Sequence, residues 1–141
     1  MPGRYFPRKS LSQYPPIPAE VEKVGQSVLN AAFHVHTVLG PGLLESVYQA
    51  ALARELMKRK INFYEQYPCP VEYDGVLLNV AFRVDFLVER VVVVEIKSVE
   101  VVQSVHFAQT LNYLRLMNLR LGFLLNFNTE HLKDGIERIV N

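Results

Sequence analysis

The sequence predicts an α/β domain in which helices flank a mixed β-sheet, with the elements in the order ααβββαβα. Apolar residues recur at three- and four-residue steps over residues 20–39, which indicates a helix. Asp74-Gly75 is a strong hairpin signal between two segments rich in β-branched and aromatic residues. Residues 91–96 are apolar on both faces, which is typical of a strand buried inside a sheet.

Four helices are expected. The first should end at residues 40–42, Gly-Pro-Gly, because glycine favours a helix stop and proline cannot continue the hydrogen-bond ladder. The second should span residues 43–60, with basic side chains near its C-terminus that complement the helix dipole. A third is predicted over residues 104–117, and a last one from Asn128 or Thr129 to about residue 140.

Four strands are expected between these helices. Residues 61–73 contain Pro68 and Pro70, which favour an edge or bulged strand. Residues 76–88 and 91–96 should form a second hairpin, and residues 119–127 a further strand. Because a helix precedes that strand, it can pair in parallel with its neighbour, which gives a mixed sheet.

Composition describes one folded domain. The 141 residues are 50% hydrophobic and 21% charged, and the net charge is +1. So small a net charge argues against a tight autonomous DNA binder, although a local basic patch is compatible with it. The mean hydropathy of +0.10 is apolar for a small soluble protein and predicts a buried subunit interface, hence a homo-oligomer.

The sequence indicates a cytoplasmic protein. Cys69 is the only cysteine, so no intrachain disulfide can form. No segment approaches the ~20 apolar residues of a membrane span, and the N-terminus lacks the apolar core of a signal peptide. Residues 1–19 hold five of the eight prolines and are expected to form an extended tail.

One group of charged residues stands out in the second hairpin. Glu95 and Lys97 lie two positions apart and therefore share a face, and Asp85 is the only acid inside the preceding strand. Buried charges persist when they are paired or bound to a metal. The group predicts a magnesium site with a charge-stabilising lysine. The alternative is that the strand emerges into water here and that Asp85 pairs with Lys97.

The metal hypothesis depends on the length of the hairpin connection. Opposed residues of an antiparallel pair face the same side, and their numbers sum to a constant. A two-residue turn at Glu89-Arg90 would place Asp85 and Glu95 on opposite faces. An odd-length connection, such as residues 89–91, or a bulge would place both acids on one face.

Two helices carry further candidate residues. Glu45 lies in the first turn of the second helix, where a negative charge is favourable for the helix dipole alone. Tyr48 and Gln49 share its face, which gives a polar stripe on that helix. On the third helix, His106, Gln109 and Tyr113 fall on one face at spacings of three and four.

Five motifs in order carry a resemblance to a known family. They are Gly42-Leu-Leu-Glu45-Ser-Val-Tyr48, Asp85 with Glu95-Ile96-Lys97, Gln109-Thr-Leu-Asn-Tyr113, Asn126-Phe127-Asn128 and Leu132-Lys133-Asp134-Gly135-Ile136. Over about residues 20–141 the chain resembles the GxxExxY family of the PD-(D/E)XK nuclease-like superfamily. Val84 stands where the nominal superfamily motif has proline.

The resemblance implies a restriction-endonuclease-like core and metal-dependent cleavage of phosphodiesters in DNA or RNA. It implies Mg²⁺ or Mn²⁺ held by Asp85, Glu95, the Ile96 carbonyl and Glu45. Lys97 would activate the attacking water or stabilise developing charge. The residues expected to orient this site or touch the substrate are Gln109, Tyr113 and Tyr48. Two other functions are compatible with the sequence: a non-catalytic binding or assembly module, and a metal-dependent hydrolase of nucleotides.

Overall fold

The computed structural model describes residues 14–141, so most of the predicted tail lies outside the described residues. The elements are α1 (Ala19–Leu39), α2 (Glu45–Lys58), β1 (Phe63–Tyr73), β2 (Val76–Val88), β3 (Val92–Lys97), α3 (Ser104–Met117), β4 (Leu121–Asn126), a 3-10 turn (Leu132–Gly135) and β5 (Ile136–Val140). The segment before α1 contacts the body of the domain: Arg120 donates to the Pro15 carbonyl at 2.6 Å, and Ile17 packs against the core.

The five strands form one mixed sheet in the order β1-β2-β3-β4-β5. Strands β1 to β3 pair antiparallel, β4 and β5 also pair antiparallel, and β3 pairs in parallel with β4. The parallel pair is joined through α3, as a parallel connection requires a crossover. The predicted mixed sheet with flanking helices is confirmed. No helix in the described part of the chain is long and apolar enough to cross a membrane.

The first hairpin follows its sequence signals. Asp74 and Gly75 have φ of 53° and 74°, and positive φ at both central residues matches the twist of a two-residue hairpin turn. Strand β1 lies at the sheet edge, and its register with β2 shifts between Pro70 and Glu72. The expectation of an edge strand with a bulge near the prolines is therefore confirmed.

The second hairpin has the odd-length connection. Its innermost pairs are Val88 with Val92 and Leu87 with Val93, so three residues, 89–91, form the loop. Glu89 and Arg90 both adopt positive φ there. The same register continues outward to place Asp85 opposite Glu95, as the metal hypothesis requires.

The predicted last helix is wrong. Residues 132–135 form one 3-10 turn, and residues 136–140 form β5 along the free edge of β4. The segment Ile-Glu-Arg-Ile-Val is short and rich in β-branched residues, which fit a sheet surface better than a helix. Pairing also satisfies the backbone groups of the edge of β4, which a helix would leave unpaired.

The sheet is covered on both faces. Helices α1 and α2 bury one face, where Phe86, Val94 and Phe123 belong to the larger core cluster. Helix α3 covers the other face through Tyr113 and Leu114, which belong to a smaller cluster. Since side chains alternate along β3, Glu95 and Lys97 lie on the α3 side of the sheet.

Replacing Gly135 by alanine should destabilise the fold strongly. A Cβ atom there would lie 2.1 Å from the Asn126 carbonyl oxygen, so the backbone must move, at about 3 kcal/mol in the free energy of unfolding. Gly75→Ala is the control, because space around that glycine is open and its positive φ costs only about 1 kcal/mol. Equilibrium urea unfolding measures both, and equal losses would contradict the packing explanation.

Candidate active site

Through Asp85 and Glu95, strands β2 and β3 exchange side-chain-to-backbone hydrogen bonds. The backbone N–H of Asp85 donates to Glu95 Oε1 at 2.9 Å, and the N–H of Ile96 donates to Asp85 Oδ2 at 2.8 Å. The regular pairing of β2 with β3 ends one step earlier, at Phe86 and Val94. The two carboxylates therefore continue the connection between the strands where the backbone ladder stops, and each is fixed in orientation.

Glu95 of the acid pair is buried, and Asp85 is half-buried. Glu95 is only 4% exposed, and burial, followed by the charge of Asp85, raises its pKa to about 8. Among residues 14–141, no ion pair within 4.0 Å includes either carboxylate. The expected alternative pairing of Asp85 with Lys97 is not formed at that distance. A like-charged pair in a poorly solvated place is a site where a cation would be stabilised.

Strand β2 is distorted at Asp85. Gln66 and Asp85 are missing from the ladder, although the pairs on either side, Glu65 with Phe86 and Tyr67 with Val84, share one register. Gln66 has a φ of 50°, which is rare for a non-glycine residue in a strand.

Two glutamine side chains bind the distorted residue. Gln66 Nε2 donates to Asp85 Oδ1, and Gln49 Nε2 donates to the Asp85 carbonyl oxygen, both at 3.3 Å. Gln49 also donates to Glu65 Oε2 at 3.1 Å and so links α2 to β1. Asp85 is therefore held by polar contacts from β1, β3 and α2.

Lys97 ends β3 on the same side as Glu95. Its positive charge favours ionisation of both Glu95 and Glu45, and it lowers the pKa of His106, although burial is the larger cause for that histidine. No ion pair found in the described chain includes Lys97. The ammonium group therefore acts on these groups by its charge, without a direct carboxylate contact within 4.0 Å in the described chain.

Glu45 is positioned by the loop that precedes α2. The Tyr48 hydroxyl donates to the Gly40 carbonyl at 2.5 Å and accepts the Leu43 N–H at 3.2 Å. Ser98, next to Lys97, donates its hydroxyl to the Leu43 carbonyl at 2.7 Å. These bonds tie the loop to the end of β3. Burial raises the pKa of Glu45, with opposing contributions from Lys97 and Asp85, so the carboxylate is electrostatically coupled to both.

Tyr48 has a structural position. It is fully buried, and its ring stacks on Phe127 with the ring centroids 4.7 Å apart. It therefore orients the loop that carries Glu45 and does not reach a substrate directly. The spacing of Gly42, Glu45 and Tyr48 follows from this arrangement, because Gly42 needs a φ of 93° and Tyr48 closes the loop behind the acid.

Gln109 and Tyr113 meet on the α3 side of the acid pair. Gln109 Nε2 donates to the Tyr113 hydroxyl at 2.9 Å. Burial, followed by the charge of Glu95, raises the pKa of Tyr113. The hydroxyl therefore stays protonated, and its ionisation is opposed by the Glu95 carboxylate. A cleft of about 270 Å³ opens beside them, and its lining residues are Phe82, Val105, Ala108, Gln109, Asn112 and Tyr113.

Asn126 fixes the segment that follows Lys97. Its side chain is buried and both accepts from the Val99 N–H at 3.2 Å and donates to the Val99 carbonyl at 2.9 Å. It also accepts the Asn128 N–H at 3.2 Å. The Asn126-Phe127-Asn128 motif thus sets the direction in which the chain leaves β3 for α3.

The donor set fits a magnesium ion with few protein ligands. The described residues contain no group of three or more His, Cys, Asp or Glu side chains suited to hold a metal, so Glu45 does not join Asp85 and Glu95 in such a cluster. Mg²⁺, however, binds through one or two carboxylates and keeps several waters or substrate phosphates. The oriented carboxylates of Asp85 and Glu95 are a donor set of this kind.

The left-handed backbone at Gln66 should reverse the usual preference between alanine and glycine. Gln66→Gly should be more stable to unfolding than Gln66→Ala by about 1 kcal/mol, because only glycine adopts positive φ without a steric cost. At Glu65, which pairs regularly with Phe86, the same two substitutions should show alanine ahead by about 0.5–1 kcal/mol. Urea denaturation of the four variants checks this, and alanine ahead at both positions would contradict it.

Burial of Glu95 should make the metal-free protein less stable as pH rises. Between the ordinary carboxyl pKa of 4.5 and about 8, the folded state keeps a proton that the unfolded state has lost. The free energy of unfolding should fall by up to about 1.4 kcal/mol per pH unit across this window. Glu95→Gln cannot titrate and should show a smaller slope in urea unfolding with EDTA at pH 5 to 8. Equal slopes for the two proteins would contradict the prediction.

One comparison with known proteins gives a match. The comparisons with curated proteins and with solved structures found no match. The family model described as PD-(D/E)XK nuclease superfamily matches residues 22–139, which span the domain from the first turn of α1 to the end of β5, less the outermost residues of both. With the acid pair at the β2–β3 junction and Lys97 two residues after Glu95, the chain belongs to the PD-(D/E)XK nuclease superfamily.

Proposed function

We propose that this protein is a Mg²⁺- or Mn²⁺-dependent nuclease that hydrolyses phosphodiester bonds in nucleic acid, and that it is a GxxExxY-type member of its superfamily. The observation that carries the proposal is the pair of buried Glu95 and half-buried Asp85, oriented by hydrogen bonds beside Lys97 and without a cation within 4.0 Å among the described ion pairs. A sheet that needed only stability would not favour two acids there, since each buried charge must be desolvated.

Asp85, Glu95 and the Ile96 carbonyl would hold the metal ion, and Glu45 would add negative charge from the start of α2. When bound, such an ion supplies Lewis-acid polarisation of the phosphate and lowers the pKa of a coordinated water. The reciprocal hydrogen bonds leave the two carboxylates little freedom to rotate. Preorganised ligands of this kind need little rearrangement on binding.

Lys97 would act on the substrate or on the attacking water. It has no carboxylate partner within 4.0 Å among the described ion pairs, so its ammonium group does not have to break a salt bridge to meet a phosphate. Placed at the acid pair, it can orient the water that attacks phosphorus or stabilise the charge that grows on the phosphate oxygens. Gln109 and Tyr113 would position the nucleic acid backbone on the α3 side.

Metal binding should stabilise the fold and support cleavage. Millimolar Mg²⁺ or Mn²⁺ should raise the melting temperature of the wild type, because the ion binds only the folded acid pair. Lys97→Ala should keep that shift and lose at least about 100-fold in cleavage of labelled single- and double-stranded DNA and RNA. Glu95→Gln should lose both. Lys23→Ala removes an exposed lysine of α1 and is the control for the change in net charge.

The outcomes separate the three functions. A melting temperature that does not respond to either metal, together with strong destabilisation by both active-site substitutions, would contradict the metal site and identify a structural cluster. A metal-dependent shift without cleavage of any polymer would favour the non-catalytic module. Release of phosphate or nucleoside from free nucleotides alone would favour the nucleotide hydrolase.

A further inference from the structure

The first hairpin extends beyond the rest of the sheet. Strand β2 has 13 residues, but β3 pairs only with its last three, from Phe86 to Val88. Residues 70–82 therefore form a two-stranded ribbon, here called the arm, in which β2 has no strand neighbour except β1 among residues 14–141. A two-stranded ribbon with no further support is marginally stable in water.

The arm exposes apolar side chains on both of its faces. Val76 is 60% exposed and Leu77 is 66% exposed, and as neighbours in the regularly paired end of β2 they point to opposite faces. The other large apolar side chains that the arm exposes are Tyr73, Leu78, Val80 and Phe82. A flat partner surface would cover only one of these faces.

The charge of the arm excludes nucleic acid as its occupant. Residues 70–82 contain no lysine or arginine, and their only charged residues are Glu72 and Asp74. Contacts to phosphates rely on basic side chains, so this surface would repel nucleic acid and anionic lipid. The arm therefore presents apolar surface without basic side chains to a partner.

The receiving surface is present on the same chain. The cleft of about 270 Å³ at the base of the arm is lined by Phe82 and by Val105 and Ala108 of α3. Val105 is 53% exposed, and nearby Val101 is 65% exposed. The space is large enough for one or two bulky side chains, such as Tyr73 or Leu77 from the tip of another arm.

We propose that the arms of two copies pack side by side in opposite directions about a two-fold axis. Along β1 the arm spans four residue steps from Cys69 to Tyr73, or roughly 14 Å at about 3.4 Å per residue. With two arms side by side in opposite directions, each tip would lie at the α3 cleft at the base of the other arm. A two-fold interface needs such self-complementary surfaces, because the arm of each copy has to fit the cleft of the other. A stable interface buries about 800 Å² per partner, so both the arm and the cleft would contribute to it.

Packing of this kind would also reach the candidate active site. Gln109 and Tyr113 line the same cleft, so the tip of one copy would border the α3 side of the acid pair in the other. The dimer would then close one wall of the site. The arms would pack in this way whether or not the site cleaves nucleic acid.

The oligomeric state gives the first test. Light scattering at micromolar concentration should report a dimer of the 16.2 kDa chain, and Leu77→Glu should convert it to a monomer. Met57→Glu is the matched control, because Met57 is 60% exposed on α2, outside the arm and the cleft, and this variant should stay dimeric. A monomeric wild type, or a dimer that Leu77→Glu leaves intact, would overturn the proposal.

Disulfide cross-linking tests the arrangement of the two arms. Tyr73→Cys and Val105→Cys variants, mixed and mildly oxidised, should form a mixed disulfide between tip and cleft. Tyr73→Cys mixed with Met57→Cys should not form one. Cys69 is buried and remains in all proteins. Efficient self-linking of Tyr73→Cys without linking to Val105→Cys would show tip-to-tip contact and overturn the antiparallel geometry, even if the protein is dimeric.

Discussion

The structure of this site depends on an exchange of hydrogen bonds between β2 and β3, in which Glu95 accepts the Asp85 N–H and Asp85 accepts the Ile96 N–H. Each side chain replaces part of the backbone ladder at the point where β2 and β3 stop pairing. The exchange keeps the strands together while it turns two carboxylates toward one place. It works only because the three-residue loop at 89–91 sets a register in which the two acids oppose each other. A connection one residue shorter would send one carboxylate to the α1 and α2 face of the sheet.

The surrounding elements support this exchange from three directions. Helix α2 supplies Gln49, which bonds to the Asp85 carbonyl, and begins with Glu45 at a loop closed by Tyr48. The polar face of helix α3 lies over the face of the sheet that carries Glu95, and the charge of Glu95 contributes to the raised pKa of Tyr113. The parallel pairing of β3 with β4 fixes the strand on which Glu95 and Lys97 lie. The residues of the sequence motifs thus meet because of sheet register and loop closure, although they are far apart in the chain.

The sequence predicted the parts of the fold that depend on apolar periodicity and on turn residues. Both hairpins, the edge prolines and helix α3 followed from apolar periodicity and from turn residues whose chemistry is local. The last helix was wrong, because residues 136–140 are too short for periodicity to decide and become a strand only when the edge of β4 is available. The roles of Gln66 and Gln49 could not be read in advance, since a left-handed residue inside a strand and a contact across 36 positions leave no local pattern.

The arrangement around Asp85 lowers the free energy of unfolding in several independent ways. Glu95 is a buried acid whose ionisation is disfavoured, Gln66 carries a backbone conformation that costs about 1 kcal/mol or more, and the ladder loses one regular pair. An apolar pair at the positions of the two acids would avoid the desolvation of both carboxylates, and buried ion groups are often replaced by apolar residues without loss of stability. Stability alone therefore does not account for these residues. A divalent cation would reverse the largest of the costs, because it stabilises the ionised pair that burial and repulsion otherwise oppose.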